Sequence, residues 1–119
     1  MATLQVTITD GGSVVSINEE DVIFVVASGT GSSIRYSTTG FRRDLKVDEN
    51  PAAVVALADS LYDLQLDGGG SEVIQAKKII RISGTTNALV EYDDEGAVVA
   101  RISSSDSYAT VKAAVDLLL

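Results

Sequence analysis

Any chemistry on this chain must come from carboxylates, hydroxyls and primary cations, because histidine and cysteine are both absent from its 119 residues. Their absence removes the commonest general base, the commonest transition-metal ligand, thiolate nucleophiles and every disulfide. Two acidic clusters remain, Glu19-Glu20-Asp21 and Asp93-Asp94-Glu95. A calcium ion wants about six to eight oxygens, spaced as alternating acids around an internal glycine, and neither cluster has that spacing. Both read as solvated polar turns. Asp67-Gly68-Gly69-Gly70-Ser71 carries the glycines of a phosphate cradle, but no Gly-Lys-Ser/Thr and no helix follow it, so it reads as a hairpin turn. Ser103-Ser104-Ser105 offers hydroxyls without a base to activate them and reads as a helix cap. A pair of glycosidase carboxylates would have only four Tyr and two Phe from which to build a sugar platform. No metal, no cofactor and no catalytic residue is expected, and an enzyme is not the expected class.

One constellation has a functional flavour. Arg35, Arg42, Arg43, Lys77, Lys78, Arg81 and Arg101 fall in expected strands, while acids crowd turns and helix starts. Single-strand nucleic-acid binders combine such cations with exposed aromatics on which bases stack. Tyr36 and Tyr92 would be the stacking residues, making Arg35, Tyr36, Arg42, Arg43, Lys77, Arg81, Tyr92 and Arg101 the candidate face. Against it stands the net charge of −8, which disfavours indiscriminate binding to a polyanion. The plainer expectation has both tyrosines facing the core and the cations paired with neighbouring acids. A second candidate surface is the apolar run Leu117-Leu118-Leu119, where Leu118 lies on a helical stripe and Leu117 or Leu119 is left to meet a neighbour.

The elements that must position these residues repeat. Asp10-Gly11-Gly12 returns as Asp67-Gly68-Gly69, an offset of 57 residues, and at the same offset Ile17 returns as Ile74 and Val22-Ile23 as Ile79-Ile80. Tyr36 and Gly40 return one residue early, as Tyr92 and Gly96. Ala52 to Leu61 recurs as Ala109 to Leu118, with Ala52, Val54, Ala56, Asp59 and Leu61 identical. Two repeats, about 4–61 and 61–118, therefore account for nearly the whole chain. Alone, a unit this short buries only roughly 60% of its unfolded surface. The expected product is one domain, 1–119, in which the two halves pack together.

Within each repeat, alternation of Leu4, Val6 and Ile8 with polar neighbours marks a half-buried strand, and Asp10-Gly11-Gly12 a hairpin turn into Ser13 to Ile17. Asn18 to Asp21 reads as a polar turn, and Val22 to Ala27 as a central strand buried on both faces. Ser33 to Thr38 and Phe41 to Val47 complete a meander. Asn50 followed by Pro51 is a helix start, with Val54, Leu57, Ala58 and Leu61 as the apolar stripe. The second repeat reads as a degraded opening, with its return strand reduced to Val73 and Ile74. Strands at Lys77 to Ser83, Ala88 to Asp93 and Ala97 to Ser103 follow, the last two separated by an Asp94-Glu95-Gly96 turn. Its helix is capped by Ser105 or Asp106 and carries Tyr108, Val111, Val115 and Leu118. The fold class expected is α+β: a tandem duplication of a β-meander-plus-helix unit, mostly antiparallel, with two helices and a pseudo-two-fold axis.

The string from Val6 to Asn18, the apolar Val22, Ile23 and Val25, and the closing Val47-Asp48-Glu49-Asn50-Pro51-Ala52-Ala53-Val54 resemble the small FlbD-type flagellar proteins, with similar units in small phage proteins. The resemblance covers one repeat well and supplies no catalytic residue. In plan alone, the chain is similar to the Whirly and Pur-type duplicated sheet-plus-helix domains that bind single-stranded nucleic acid. No apolar run reaches the length of a membrane span, and the start lacks the pattern of a cleaved signal peptide, so a cytoplasmic or virion location is expected, with no membrane and no evident small-molecule substrate. The composition, acidic and rich in Ala, Val, Ser, Gly and Thr, is similar to small phage virion proteins. A structural protein of capsid-decoration or head–tail type, partnered by itself or by other subunits, is the leading expectation. Single-stranded nucleic-acid binding is the alternative.

Overall fold

The computed structural model describes residues 3–38 and 40–119. Strands β1 (Thr3–Thr7) and β2 (Val14–Asn18) form a hairpin, and a 3-10 turn over Glu19–Asp21 leads into β3 (Val22–Ser28). Strands β4 (Gly31–Thr38) and β5 (Phe41–Val47) and helix α1 (Pro51–Ala56) follow. The same order then recurs: β6 (Leu61–Gln65), β7 (Ser71–Gln75), a 3-10 turn over Ala76–Lys78, β8 (Ile79–Gly84), β9 (Ala88–Tyr92), β10 (Ala100–Ser103) and α2 (Tyr108–Asp116). The fold is α+β, mostly antiparallel sheet with two helices.

Three ladders carry the strands: β1-β2, β5-β4-β3-β7-β6 and β10-β9-β8. Two short bridges join them. Ile8 pairs with Val47, flanked by the Thr9 N–H to Lys46 O bond at 3.0 Å and the Asp48 N–H to Thr7 O bond at 2.9 Å. Leu66 pairs with Ser104, flanked by Asp67 N–H to Ser103 O at 3.0 Å and Ser105 N–H to Gln65 O at 3.1 Å. Strand succession through the molecule is therefore β2-β1-β5-β4-β3-β7-β6-β10-β9-β8, with β2 and β8 as its two ends.

Alternation on these strands feeds two cores that share the β6–β7 hairpin. Leu61 and Val73 pack with Leu4, Val6, Ile17, Val25, Ile34 and Val54 in the first. On the opposite face Leu64 and Ile74 pack with Ala88, Val90, Tyr92, Val111 and Val115 in the second. Ile23 crosses over: it belongs to β3 yet is fully buried in the second core. It can do so because the β3–β4 register slips between Val22 and Phe24, and such a bulge re-aims a side chain.

Several boundaries differ from those read off the sequence, each for a tertiary reason. Leu61 does not close the helical stripe; α1 stops at Ala56, and Leu61 opens β6. The amides that would have extended the helix, those of Asp59 and Ser60, donate instead to the Glu19 carboxyl group at 2.9 and 2.6 Å. The second helix is capped by Ser107, whose Oγ accepts from the Thr110 N–H at 3.2 Å, and not by Ser105 or Asp106. Those two residues are held in ladder ends, Ser105 N–H to Gln65 O and Ala88 N–H to Asp106 O. The opening of the second half is not degraded either. Strand β7 keeps five residues because its second edge pairs with β3, so fewer local apolar residues suffice. Lys77 and Lys78 lie in the 3-10 turn before β8, and β10 is confined to Ala100–Ser103.

Candidate interaction surfaces

Glu19 is the most committed polar side chain in the fold. It is 2% exposed, and besides the two amides its carboxyl group accepts the Ser60 hydroxyl. Its own carbonyl accepts the Gln75 side-chain amide at 2.9 Å, and the Ala76 N–H donates to Ser60 O at 2.9 Å. The knot of Glu19, Ser60, Gln75 and Ala76 fastens the first 3-10 turn to the second. The sequence offered Glu19 as part of a solvated turn; its neighbours Glu20 and Asp21 fit that reading better. A long-range acceptor role leaves no local pattern, so nothing in the spacing singles Glu19 out.

Most cations of the candidate nucleic-acid face stand beside an acid. Arg35 holds Asp44 with two bonds of 2.7 and 2.9 Å, and its guanidinium lies 5.1 Å from the Phe24 ring centre. The bond raises the Arg35 pKa and holds the Asp44 carboxyl below the usual carboxylate range. Lys77 pairs with Glu20 at 2.8 Å and Lys78 with Glu95 at 2.9 Å, and each acid is held low chiefly by the hydrogen bond from its lysine. Arg81 and Arg101 flank Glu91 at 3.8 and 3.3 Å across β8-β9-β10, and Arg42 approaches Asp94 at 4.0 Å. Neighbours on one strand point to opposite faces, so Arg42 stands with Ser37 and Arg35, whereas Arg43 stands opposite Tyr36 on the other side. Tyr92 is 4% exposed and presents no ring face for a base; Tyr36 is half-buried against the first core.

Tyr92 donates its hydroxyl to Glu72 at 3.2 Å, and burial is the first cause that raises both pKa values. A carboxyl group whose folded-state pKa lies above its unfolded value favours folding in its protonated form. Its penalty therefore grows as pH rises from the unfolded pKa through the folded one. Glu72→Gln keeps an acceptor for Tyr92 and removes that penalty. Thermal denaturation should show the variant more stable than the wild type at pH 7, by less than about 1 kcal/mol for a half-exposed group. The gap should close as pH falls toward about 4.

A largely apolar hollow lies at each end of the strand succession, while Phe41, Leu57, Val98 and Val99 are exposed elsewhere. Beside β8 a hollow of 310 Å³ is lined by Ile79, Ile80, Ile82, Tyr108, Val115 and Leu119, with Ile80 60% exposed. Leu119 thus joins that hollow, Leu117 projects at 88% exposure, and Leu118 packs on the second core. Beside β2 an equal hollow of 310 Å³ is lined by Ile8, Val15, Ile17, Tyr36 and Leu45, with Asp21 on its border. Among the described residues β2 pairs only with β1, and β8 only with β9. No group of three or more metal-ligating side chains is gathered among the described residues, and no helix among them is long and apolar enough to cross a membrane. No protein-family model, no curated protein and no solved structure matches the chain.

Proposed function

We propose that this chain is a non-enzymatic interaction protein, a tandem duplication whose sheet edges join it to further copies of itself or to subunits of a larger assembly such as a phage virion. The observation that carries the reading is the pair of apolar hollows beside β2 and β8, the two strands whose outer edges have no strand partner among the described residues. An unpaired strand edge presents a row of amide and carbonyl groups, and an apolar hollow beside it adds the area that makes strand addition favourable. Glu19, Glu20, Asp44, Glu91 and Glu95 are engaged in hydrogen bonds and ion pairs that hold the fold together.

Duplication is supported by matched details. The turns over Glu19–Asp21 and Ala76–Lys78 are 57 residues apart and are capped alike, Asn18 accepting from the Glu20 N–H and Gln75 from the Lys77 N–H. The bulge after Val22 recurs after Ile79. The two halves meet head to tail: β3 of the first pairs with β7, the counterpart of β2, in the second. A two-fold axis would instead bring like strands together, so the duplication is better described as successive units than as a pseudo-two-fold pair. The acidic composition lacking Cys and His supports the virion setting. Single-stranded nucleic-acid binding draws less support, because Tyr92 is buried and Arg35, Lys77, Arg81 and Arg101 each have an acidic neighbour.

Sedimentation velocity tests the reading. Species larger than one chain should grow in proportion as protein concentration rises from micromolar toward millimolar. A single chain-sized species throughout overturns self-assembly.

A further inference from the structure

Resting on that reading, we infer that copies of this chain associate head to tail, β8 of one copy pairing with β2 of the next, in the register that joins the two halves of each chain. Within the chain, Phe24 pairs with Ile74 and Val25 with Val73, antiparallel, across the β3–β7 junction. Advancing β3 by 57 residues gives β8, and moving β7 back by 57 gives β2. The register of the new junction is therefore Arg81 opposite Ile17 and Ile82 opposite Ser16.

Three features of the free ends match what this junction requires. The first is a plug and its socket. Ile23, the bulge residue of β3, is fully buried in the second core. Its counterpart Ile80 sits at the equivalent bulge of β8, yet is 60% exposed. The equivalent receiving site in the first half is the empty hollow bounded by Ile17, Tyr36 and Leu45 beside β2. Ile80 of one copy supplies the apolar side chain that this hollow lacks.

Charge is the second feature. The 3-10 turn over Glu19–Asp21 is wholly acidic, and that over Ala76–Lys78 carries two lysines. The two adjoin within the chain, where Lys77 meets Glu20 at 2.8 Å. Head-to-tail stacking sets the lysine-bearing turn of one copy against the acidic turn of the next, so opposite charges alternate along the array. Arg81, beside Ile80, is carried to a hollow bordered by Asp21. Complementary charge at the rim favours this partner over a like-to-like pairing of two acidic ends.

The third feature is the way the sequence departs from the internal junction. Phe24 is replaced by Arg81 and Val73 by Ser16, so the contact between copies is more polar than the one within the chain. A more polar contact suits a reversible association. Because the joined surfaces differ, the contact is heterologous and propagates to a closed ring or a filament, not to a two-fold dimer.

The test uses the full-length chain. Ile80→Asp should weaken association about 30-fold in sedimentation, the loss expected when an apolar anchor is replaced by a charge in its pocket. Val98→Asp, at a residue 79% exposed and outside both hollows, should leave association unchanged. The wild type has no cysteine, so engineered pairs report unambiguously. Mixing Ser16→Cys with Ile82→Cys under mild oxidation should yield a cross-linked dimer in higher yield than either variant alone. Wild-type assembly that is insensitive to Ile80→Asp, or Ile82→Cys that cross-links best to itself, overturns the head-to-tail junction while leaving self-assembly standing. A chain that never associates overturns both.

Discussion

Glu19→Ala should lower the stability of the fold by about 3 kcal/mol, read as a fall in melting temperature of about 10 °C for a chain of this size. The side chain is 2% exposed and its carboxyl group accepts from the Asp59 N–H, the Ser60 N–H and the Ser60 hydroxyl. Ser60 is itself buried, so truncation leaves its amide and hydroxyl without the acceptor they share. Leaving a buried donor unpaired costs about 1–3 kcal/mol, more than an average hydrogen bond contributes when formed. Glu19→Gln separates this account from simple loss of volume. It retains one acceptor oxygen but turns an NH₂ group toward a donor, and should fall between wild type and alanine. Equal stability of Glu19→Ala and wild type in thermal or urea unfolding would remove the knot from the account of why α1 ends where it does.

The Glu19 knot also shows where the sequence stopped being legible. Features fixed within a few residues were readable: the Asp10-Gly11-Gly12 turn, the Asn50-Pro51 helix start and the strand alternation. Gly11, Gly12, Gly69 and Gly70 all take positive φ, and the two turns rest on that freedom. What was lost depended on partners far away in sequence. Glu19 reads as one acid among three until Ser60, 41 residues on, is placed beside it. The early end of α1 follows from the same contact. Strand β7 appeared shortened because its register is stabilised from β3 as well as β6. Arg35, Arg42, Arg43, Arg81 and Arg101 lie in strands as expected, whereas Lys77 and Lys78 fall in a 3-10 turn, and the pairing with Asp44, Glu91 and Glu95 needed cross-strand and cross-turn neighbours. Ile80 was visible only as a match to Ile23. That one is buried and the other exposed becomes meaningful once the junction between the halves is known.

Gly31→Ala should destabilise the chain by about 3 kcal/mol or more, for a reason unlike that at most of its glycines. Its φ lies outside the left-handed region, so the backbone conformation would suit alanine. Space is what is missing. A Cβ at Gly31 would collide with the carbonyl oxygen of Val47 and lie 3.1 Å from that of Asp48. Both obstacles are backbone and cannot swing aside. Relief would require the β4–β5 ladder to open at the Ser32–Val47 pair. Val47 is 1% exposed, pairs with Ile8, and is flanked by the bonds that tie β1 to β5. Opening that end therefore loosens the β1–β2 hairpin and, with it, the hollow beside β2. Gly29→Ala provides the contrast two residues away: φ is +59° and nothing lies within 4 Å of the added carbon, so it should lose only about 1 kcal/mol from conformational strain. Urea unfolding of the two variants side by side should rank Gly31→Ala well below Gly29→Ala. The reverse order would mean that β5 does not close on β4 at the Ser32–Val47 pair. If the socket for Ile80 is held by that closure, a folded Gly31→Ala chain should also associate more weakly than Gly29→Ala at equal concentration.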